Sequence, residues 1–125
     1  MSFEIHTYMR RTRAFVTTLF ESDGTTEVAL AAGDVVRFKV GTNEEAPILE
    51  IGSDAATDGG STLAYTTGTG DCAITIHAAD LATANIDPGT YDAEISVYDL
   101  SETTIKHVEC GVLHVHPSQL GEVGA

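Results

Sequence analysis

Residues 87–99 read DPGTYDAEISVYD, and this stretch decides the fold. Pro88 fixes φ and Gly89 permits a sharp bend, so the chain turns tightly at the start of the stretch. From Tyr91 to Val97 every second residue is apolar. Such alternation is typical of a β-strand that has one face in the core. The stretch therefore predicts a turn that leads directly into a strand.

The same alternation recurs along most of the chain. Turn residues interrupt it roughly every eight to twelve residues, which is the spacing of an antiparallel sandwich, and about nine short strands result. The predicted strands are 3–9, 13–20, 26–30, 35–40, 47–52, 62–66, 72–78, 91–98 and 104–117. Helical periodicity fits only near residues 79–85, where Asp80 is expected to cap a single turn. We predict one all-β domain over 1–117, followed by a C-terminal tail at 118–125.

Two further local expectations come from glycine. The polar and glycine-rich segment 53–61 is expected to be an exposed, mobile loop. In the last predicted strand the alternation changes parity near Gly111, which predicts a β-bulge there.

The tyrosine after the turn indicates which kind of sandwich to expect. In immunoglobulin-like sandwiches a tyrosine just after a tight corner turns inward, and its hydroxyl bonds to backbone across the corner. Asp87, Pro88, Gly89 and Tyr91 supply the sequence form of this corner. An antibody domain has cysteine two residues after the tyrosine, whereas this chain has Ala93 there and contains no Trp. We predict an Ig-like antiparallel β-sandwich without the antibody core; the alternative is an ordinary turn followed by an inward tyrosine.

The segment from Cys72 to Val115 resembles the small Ig-like domains of tailed-bacteriophage virion proteins. Those domains pass from an alternating strand through an aspartate-containing helical turn to Pro-Gly-Thr-Tyr, a long strand, a short turn and a closing strand entered through glycine. The matching positions are Asp80, Pro88, Gly89, Thr90, Tyr91, Gly111, Leu113 and Val115. The segment LAAGDVVRFKVG at 30–41 is similar to an early strand of the same domains.

The resemblance implies a non-enzymatic structural protein of a phage virion, made in the host cytoplasm. Capsid decoration or cementing is the leading expectation, and a tail, neck or baseplate position is the alternative. The partners would be other virion proteins, such as the major capsid or tail proteins, and the protein would form a homo-oligomer or act in many copies. Arg10, Arg11 and Arg13 are the interface candidates, because guanidinium groups suit carboxylates of a neighbouring subunit. Alternatively, they are three solvated charges beside a strand.

The charge balance argues against nucleic-acid and membrane partners. The chain has 19 acidic and 6 basic residues and a net charge of −13. Such a field repels phosphate backbones and anionic membrane surfaces. No apolar run approaches the length of a membrane span. We expect neither partner.

The cysteines and the N-terminal residues bear on the compartment. Residues 1–13 contain no apolar stretch long enough for a secretory signal, so no export route is expected. Cys72 and Cys110 are therefore expected to be free and largely buried thiols. The alternative is a disulfide between the two cysteines, which requires that the protein meets an oxidising environment.

We expect no cofactor and no metal. The best metal candidates are His107, Cys110, His114 and His116, because His114 and His116 project to the same face of a strand. The same two positions are also where solvent-facing polar residues belong, and this is the favoured interpretation. The remaining histidines are expected to be surface or hydrogen-bonded polar positions.

Two other classes of function stay open. The same fold supports carbohydrate- or receptor-binding modules on its loops, but Tyr65 and Tyr98 are the only tyrosines near loops that could form an aromatic platform. An enzyme would need a metal held in the 107–116 region, since no spacing suggests a Ser-His-Asp or Cys-His arrangement.

Overall fold

The computed structural model describes residues 3–41, 47–99, 101 and 103–117. This part of the chain forms eight strands and one short helix. Their bounds are β1 (Phe3–Tyr8), β2 (Arg13–Thr18), β3 (Val35–Val40), β4 (Leu49–Gly52), β5 (Thr62–Tyr65), β6 (Asp71–Ile76), α1 (Ala78–Thr83), β7 (Gly89–Tyr98) and β8 (Ile105–His116). The predicted C-terminal tail, 118–125, lies outside the described residues.

The strands form two packed sheets, as the alternation predicted. One sheet has the order β1-β8-β7-β3-β4 and the other β2-β6-β5. In the lettering of immunoglobulin folds, β2, β6 and β5 correspond to B, E and D, and β3, β7 and β8 to C, F and G, with β4 as C′. The protein is an all-β sandwich with this Ig-like connectivity. One pairing departs from the antiparallel prediction, because β1 runs parallel to β8 at the sheet edge.

The core lies between the sheets and is built from the inward positions of the alternating strands. Phe38 on β3 is the largest fully buried side chain, and its ring centroid lies 6.2 Å from that of Phe3 on β1. Ile74 on β6 and Ile95 on β7 reach the same core from the two sheets with no exposed surface. Aliphatic side chains therefore form most of the core, as expected for a chain without Trp.

The corner ahead of β7 has the geometry that the sequence indicates. The Tyr91 hydroxyl donates to the backbone carbonyl of Asp87 over 2.6 Å, and the ring packs against the core. Gly89 has φ +156°, a positive value that residues with a side chain rarely adopt. The hydrogen bond spans the corner between α1 and β7, so the ring anchors the start of β7.

Replacing Tyr91 with phenylalanine should lower the free energy of unfolding by about 1 kcal/mol, because one hydrogen bond is lost while the ring is kept. Urea denaturation followed by circular dichroism measures this difference. The matched control is Tyr8→Phe, since Tyr8 packs through its ring against His116 and Arg13. If Tyr91→Phe changes stability no more than this control, the corner bond does not stabilise the domain.

The short helix predicted near 79–85 is present as α1, but Asp80 and the 53–61 segment differ from their predictions. α1 begins at Ala78, and Asp80 lies inside it rather than capping it. The Asp80 carboxylate is buried and accepts hydrogen bonds from the hydroxyls of Thr57 and Ser61 and, at 3.3 Å, from the Ser61 amide. The expectation of an exposed loop is wrong at Ser61, which is fully buried and hydrogen-bonded to the Asp80 carboxylate of the helix.

Two strand predictions also need correction. Residues 26–30 do not form a strand and contribute only an isolated bridge between Phe20 and Glu27. The pairing of β8 with β7 continues through Gly111 without a bulge, and the irregularity lies instead between Val97 and Tyr98. Gly111 serves close packing, because a Cβ there would come within 2.6 Å of the ring Cγ of Phe3.

The two cysteines are free, but only one is buried. Cys72 has no exposed surface, and burial raises the pKa of its thiol to about 12. Cys110 is exposed on the outer face of β8, contrary to the expectation that both would be buried. The difference follows from the parity of β8, in which odd-numbered residues such as Glu109 point into the sandwich.

Candidate functional site on the outer face of β1 and β8

The parallel pairing of β1 with β8 brings the first and last strands of the sandwich together. In this register His6 lies opposite His114, and Tyr8 lies opposite His116. Successive side chains of a strand alternate between faces, so the even-numbered residues of both strands share the outer face of the sheet. Glu4 joins them from the start of β1.

Four of these residues form what we call the histidine cluster: Glu4, His6, His114 and His116. The His114 Nε2 lies 2.9 Å from Glu4 Oε2, and the His6 Nε2 lies 3.5 Å from Glu4 Oε1. The other ring nitrogen of His6, Nδ1, lies 2.8 Å from His116 Nε2. The His6 ring stacks on those of His114 and His116, with centroids 4.4 Å and 5.1 Å apart.

Hydrogen bonds set the electrostatics and the orientation within the cluster. The bonds from His114 and His6 lower the pKa of the Glu4 carboxyl, so the group is ionised at neutral pH. The Thr90 hydroxyl lies 3.1 Å from His114 Nδ1 on the opposite side of the ring. The His114 ring is therefore held at both nitrogens, by Thr90 and by Glu4.

The predicted interface arginines lie at the end of the same surface. Arg10 and Arg11 are exposed in the turn between β1 and β2, and Arg10 has a positive φ of 66°. Arg13 opens β2, and its guanidinium carbon lies 5.4 Å from the ring centroid of Tyr8. The Tyr8 ring in turn lies 5.0 Å from that of His116. Arg13 is thus connected to the histidine cluster through the Tyr8 ring.

The structure separates the four metal candidates chosen from the sequence. His114 and His116 lie together on the outer face, with ring centroids 6.4 Å apart. His107 instead points inward, where its Nε2 lies 3.5 Å from the buried carboxylate of Glu109. Cys110 is on the outer face but is not part of the cluster. The four candidates therefore do not come together as one set of ligands, because β8 carries its odd and even residues on opposite faces.

Sequence reasoning missed Glu4 and His6 as members of this site. The alternation in β1 did place both on the face away from the core, and it placed His114 and His116 on one face of β8. The missing information was that β1 pairs with β8, a contact between residues 110 positions apart in the chain. No local pattern encodes such a pairing.

The two tyrosines that a glycan platform would need are engaged elsewhere. The Tyr65 hydroxyl donates to the backbone carbonyls of Ala31 and Asp34, at 3.0 Å and 2.7 Å. Lys39 donates to the Tyr98 hydroxyl at 2.7 Å and also lies over its ring. Both tyrosines therefore make contacts within the domain that stabilise its fold.

Comparison with models of known protein families gives no match, and comparison with curated protein sequences gives none either. Within the part of the chain that the structure describes, no helix is both long and apolar enough to span a lipid bilayer.

Proposed function

We propose that the protein is a non-enzymatic structural component of a phage virion that binds other virion proteins. Its place in this proposal is on the capsid, as a decoration or cement protein. The observation that carries the proposal is the corner at Asp87–Tyr91. This motif is one part of the resemblance to virion domains, which extends over residues 72–115 and 30–41, and its tyrosine bond lies here between α1 and β7 of an Ig-like sandwich.

The distribution of charge supports a role in assembly. Arg10 and Arg11 are exposed at the end of β1, one edge strand of the larger sheet. At the other edge, the exposed carboxylates of Glu50 on β4 and of Asp54 after it both pair with Arg37 of β3, which leaves these three side chains with one negative charge in excess. Opposite charge at two different edges favours a head-to-tail contact between copies or with an acidic neighbour, and such contacts close into rings or extend into arrays.

The test is a crosslinked pull-down from the native source, with the copy number of each recovered protein counted by mass spectrometry. Recovery with a major shell protein in hundreds of copies per particle is the expected result. A small fixed stoichiometry with tube or baseplate proteins would move the protein to the tail. Recovery alone, or with a glycan-bearing partner, would contradict the virion proposal.

Replacing Arg10 and Arg11 with glutamine should reduce recovery of the partner at least tenfold, because the exposed cations of the edge are removed. The control is Thr62→Glu with Ala64→Glu, which makes the same change in net charge on exposed positions of β5 in the other sheet. Equal losses in both variants would mean that net charge, rather than this edge, governs assembly. Thermal unfolding of both variants checks that neither change acts through the fold.

A further inference from the structure

We propose that Glu4, His6 and His114 bind a zinc ion on the outer face of β1 and β8, with His116 and Thr90 orienting the two histidines. The site goes beyond the structural role proposed above and does not depend on it. It would link the first strand of the domain to the last.

The spacing of the ligand atoms fits a single ion. One ligand atom from each of Glu4, His6 and His114 lies within 4.8 Å of the other two. Zinc bonds to histidine nitrogen and carboxylate oxygen at about 2.0–2.2 Å, so tetrahedral ligand atoms lie about 3.4 Å apart. The His114 Nε2 lies 2.9 Å from Glu4 Oε2 and the His6 Nε2 lies 3.5 Å from Glu4 Oε1, so each histidine already contacts one of the two carboxylate oxygens. Because the His6 and His114 rings are stacked, with centroids 4.4 Å apart and planes at 14°, at least one ring must rotate before both Nε2 atoms can point at one ion.

The second nitrogen of each histidine, Nδ1, has a partner that can accept the ring proton when Nε2 passes from its contact with Glu4 to the ion. His6 Nδ1 faces His116 Nε2 at 2.8 Å, and His114 Nδ1 faces the Thr90 hydroxyl at 3.1 Å. Histidines that bind metals usually donate the other ring N–H to such an acceptor, which holds the ring in place and raises its basicity. His116 and Thr90 are therefore positioning residues, and Nε2 of His6 and of His114 are the ligands.

Ligand type and charge select the ion. Imidazole nitrogen suits zinc and related transition metals, whereas calcium and magnesium take oxygen ligands. The Glu4 carboxylate supplies negative charge at the site, and the chain as a whole carries −13, so a divalent cation is attracted from a distance. Two histidines and one glutamate leave a fourth zinc position for water, since Glu4 and His6 are exposed.

The ion would stabilise the edge of the larger sheet. β1 is an edge strand that pairs only with β8 within its sheet. Glu4 and His6 come from β1 and His114 from β8, so a shared ion adds a crosslink across this one pairing. Because the unfolded chain does not hold the three ligands together, zinc binds the folded state preferentially and raises the melting temperature.

The experiment is isothermal titration of zinc chloride into the full-length, untagged protein after chelator treatment and buffer exchange. We expect one zinc per chain and a melting temperature that rises with zinc concentration. Glu4→Gln and His114→Ala should each abolish saturable binding. His116→Ala, which removes only a positioning residue, should weaken binding roughly ten- to a hundredfold at unchanged stoichiometry.

His77→Ala is the matched control, because His77 precedes α1 and lies outside the cluster. It should bind zinc like the unchanged protein. Glu4 is an exposed side chain, so Glu4→Gln reports on the site even if His114→Ala fails to fold. The absence of saturable binding, undiminished binding by Glu4→Gln, or an equal loss in His77→Ala would each overturn the proposal.

Discussion

Replacing Gly111 with alanine is expected to lower the free energy of unfolding by about 3 kcal/mol, near the upper end of the usual cost of overpacking. The added Cβ would overlap the backbone carbonyl oxygen of Phe3 and approach its ring Cγ to 2.6 Å. A backbone atom cannot rotate away as a flexible side chain can, so β1 must move from its place beside β8. Urea denaturation measures the loss of stability.

The same substitution also tests the histidine cluster. Moving β1 separates Glu4 and His6 from His114, so zinc binding should weaken together with stability. Cys110→Ala is the control, since Cys110 is the adjacent residue of β8 and its side chain is exposed. A stable Gly111→Ala protein with unchanged zinc affinity would show that β1 does not pack against β8 in this register.

Replacing Asp80 with asparagine is expected to lower the free energy of unfolding by about 3 kcal/mol at neutral pH, because hydrogen bonds to a buried charged group are among the stronger ones. The carboxylate accepts from the Thr57 and Ser61 hydroxyls and from the Ser61 amide. An amide cannot accept all of these bonds, so buried donors lose their partner. Chemical denaturation of the two proteins gives the difference.

The pH dependence provides a second test of Asp80. Burial alone would raise the pKa of this carboxyl, but the hydrogen bonds from Ser61 and Thr57 outweigh it and hold the pKa below its usual value of 3.8. The ionised group therefore contributes its full stabilisation above pH 3.8, and this contribution is lost as the pH falls through the folded-state pKa. The gap in stability between the unchanged protein and Asp80→Asn should accordingly narrow in acid.

Asp58→Asn is the control for both measurements, because Asp58 is exposed in the segment that Asp80 anchors. It should have little effect at any pH. A gap between the unchanged protein and Asp80→Asn that stays constant from neutral pH down to strong acid would contradict the proposed role of the buried carboxylate.

Local patterns were sufficient to predict most of the strands. The alternation around Phe38 and around Ile95 identifies β3 and β7 because a side chain's face in a strand depends on its immediate neighbours alone. The corner is equally local, since the Tyr91 hydroxyl bonds to a carbonyl four residues earlier. Asp80 shows where local patterns fail. Its residue type and position predicted a helix N-cap, but its carboxylate is buried inside α1 and accepts hydrogen bonds from Thr57 and Ser61 of the preceding loop.

The sequence by itself determined the all-β class, the position of most strands and the corner, because each depends on residues close together in the chain. Only the tertiary structure decided that β1 pairs in parallel with β8, and this pairing assembles Glu4, His6, His114 and His116. It also decided that His107 and Cys110 lie apart from them. His6 and His116 are 110 positions apart in the chain. They meet only because β1 joins the sheet beside β8, and this depends on how the whole domain packs.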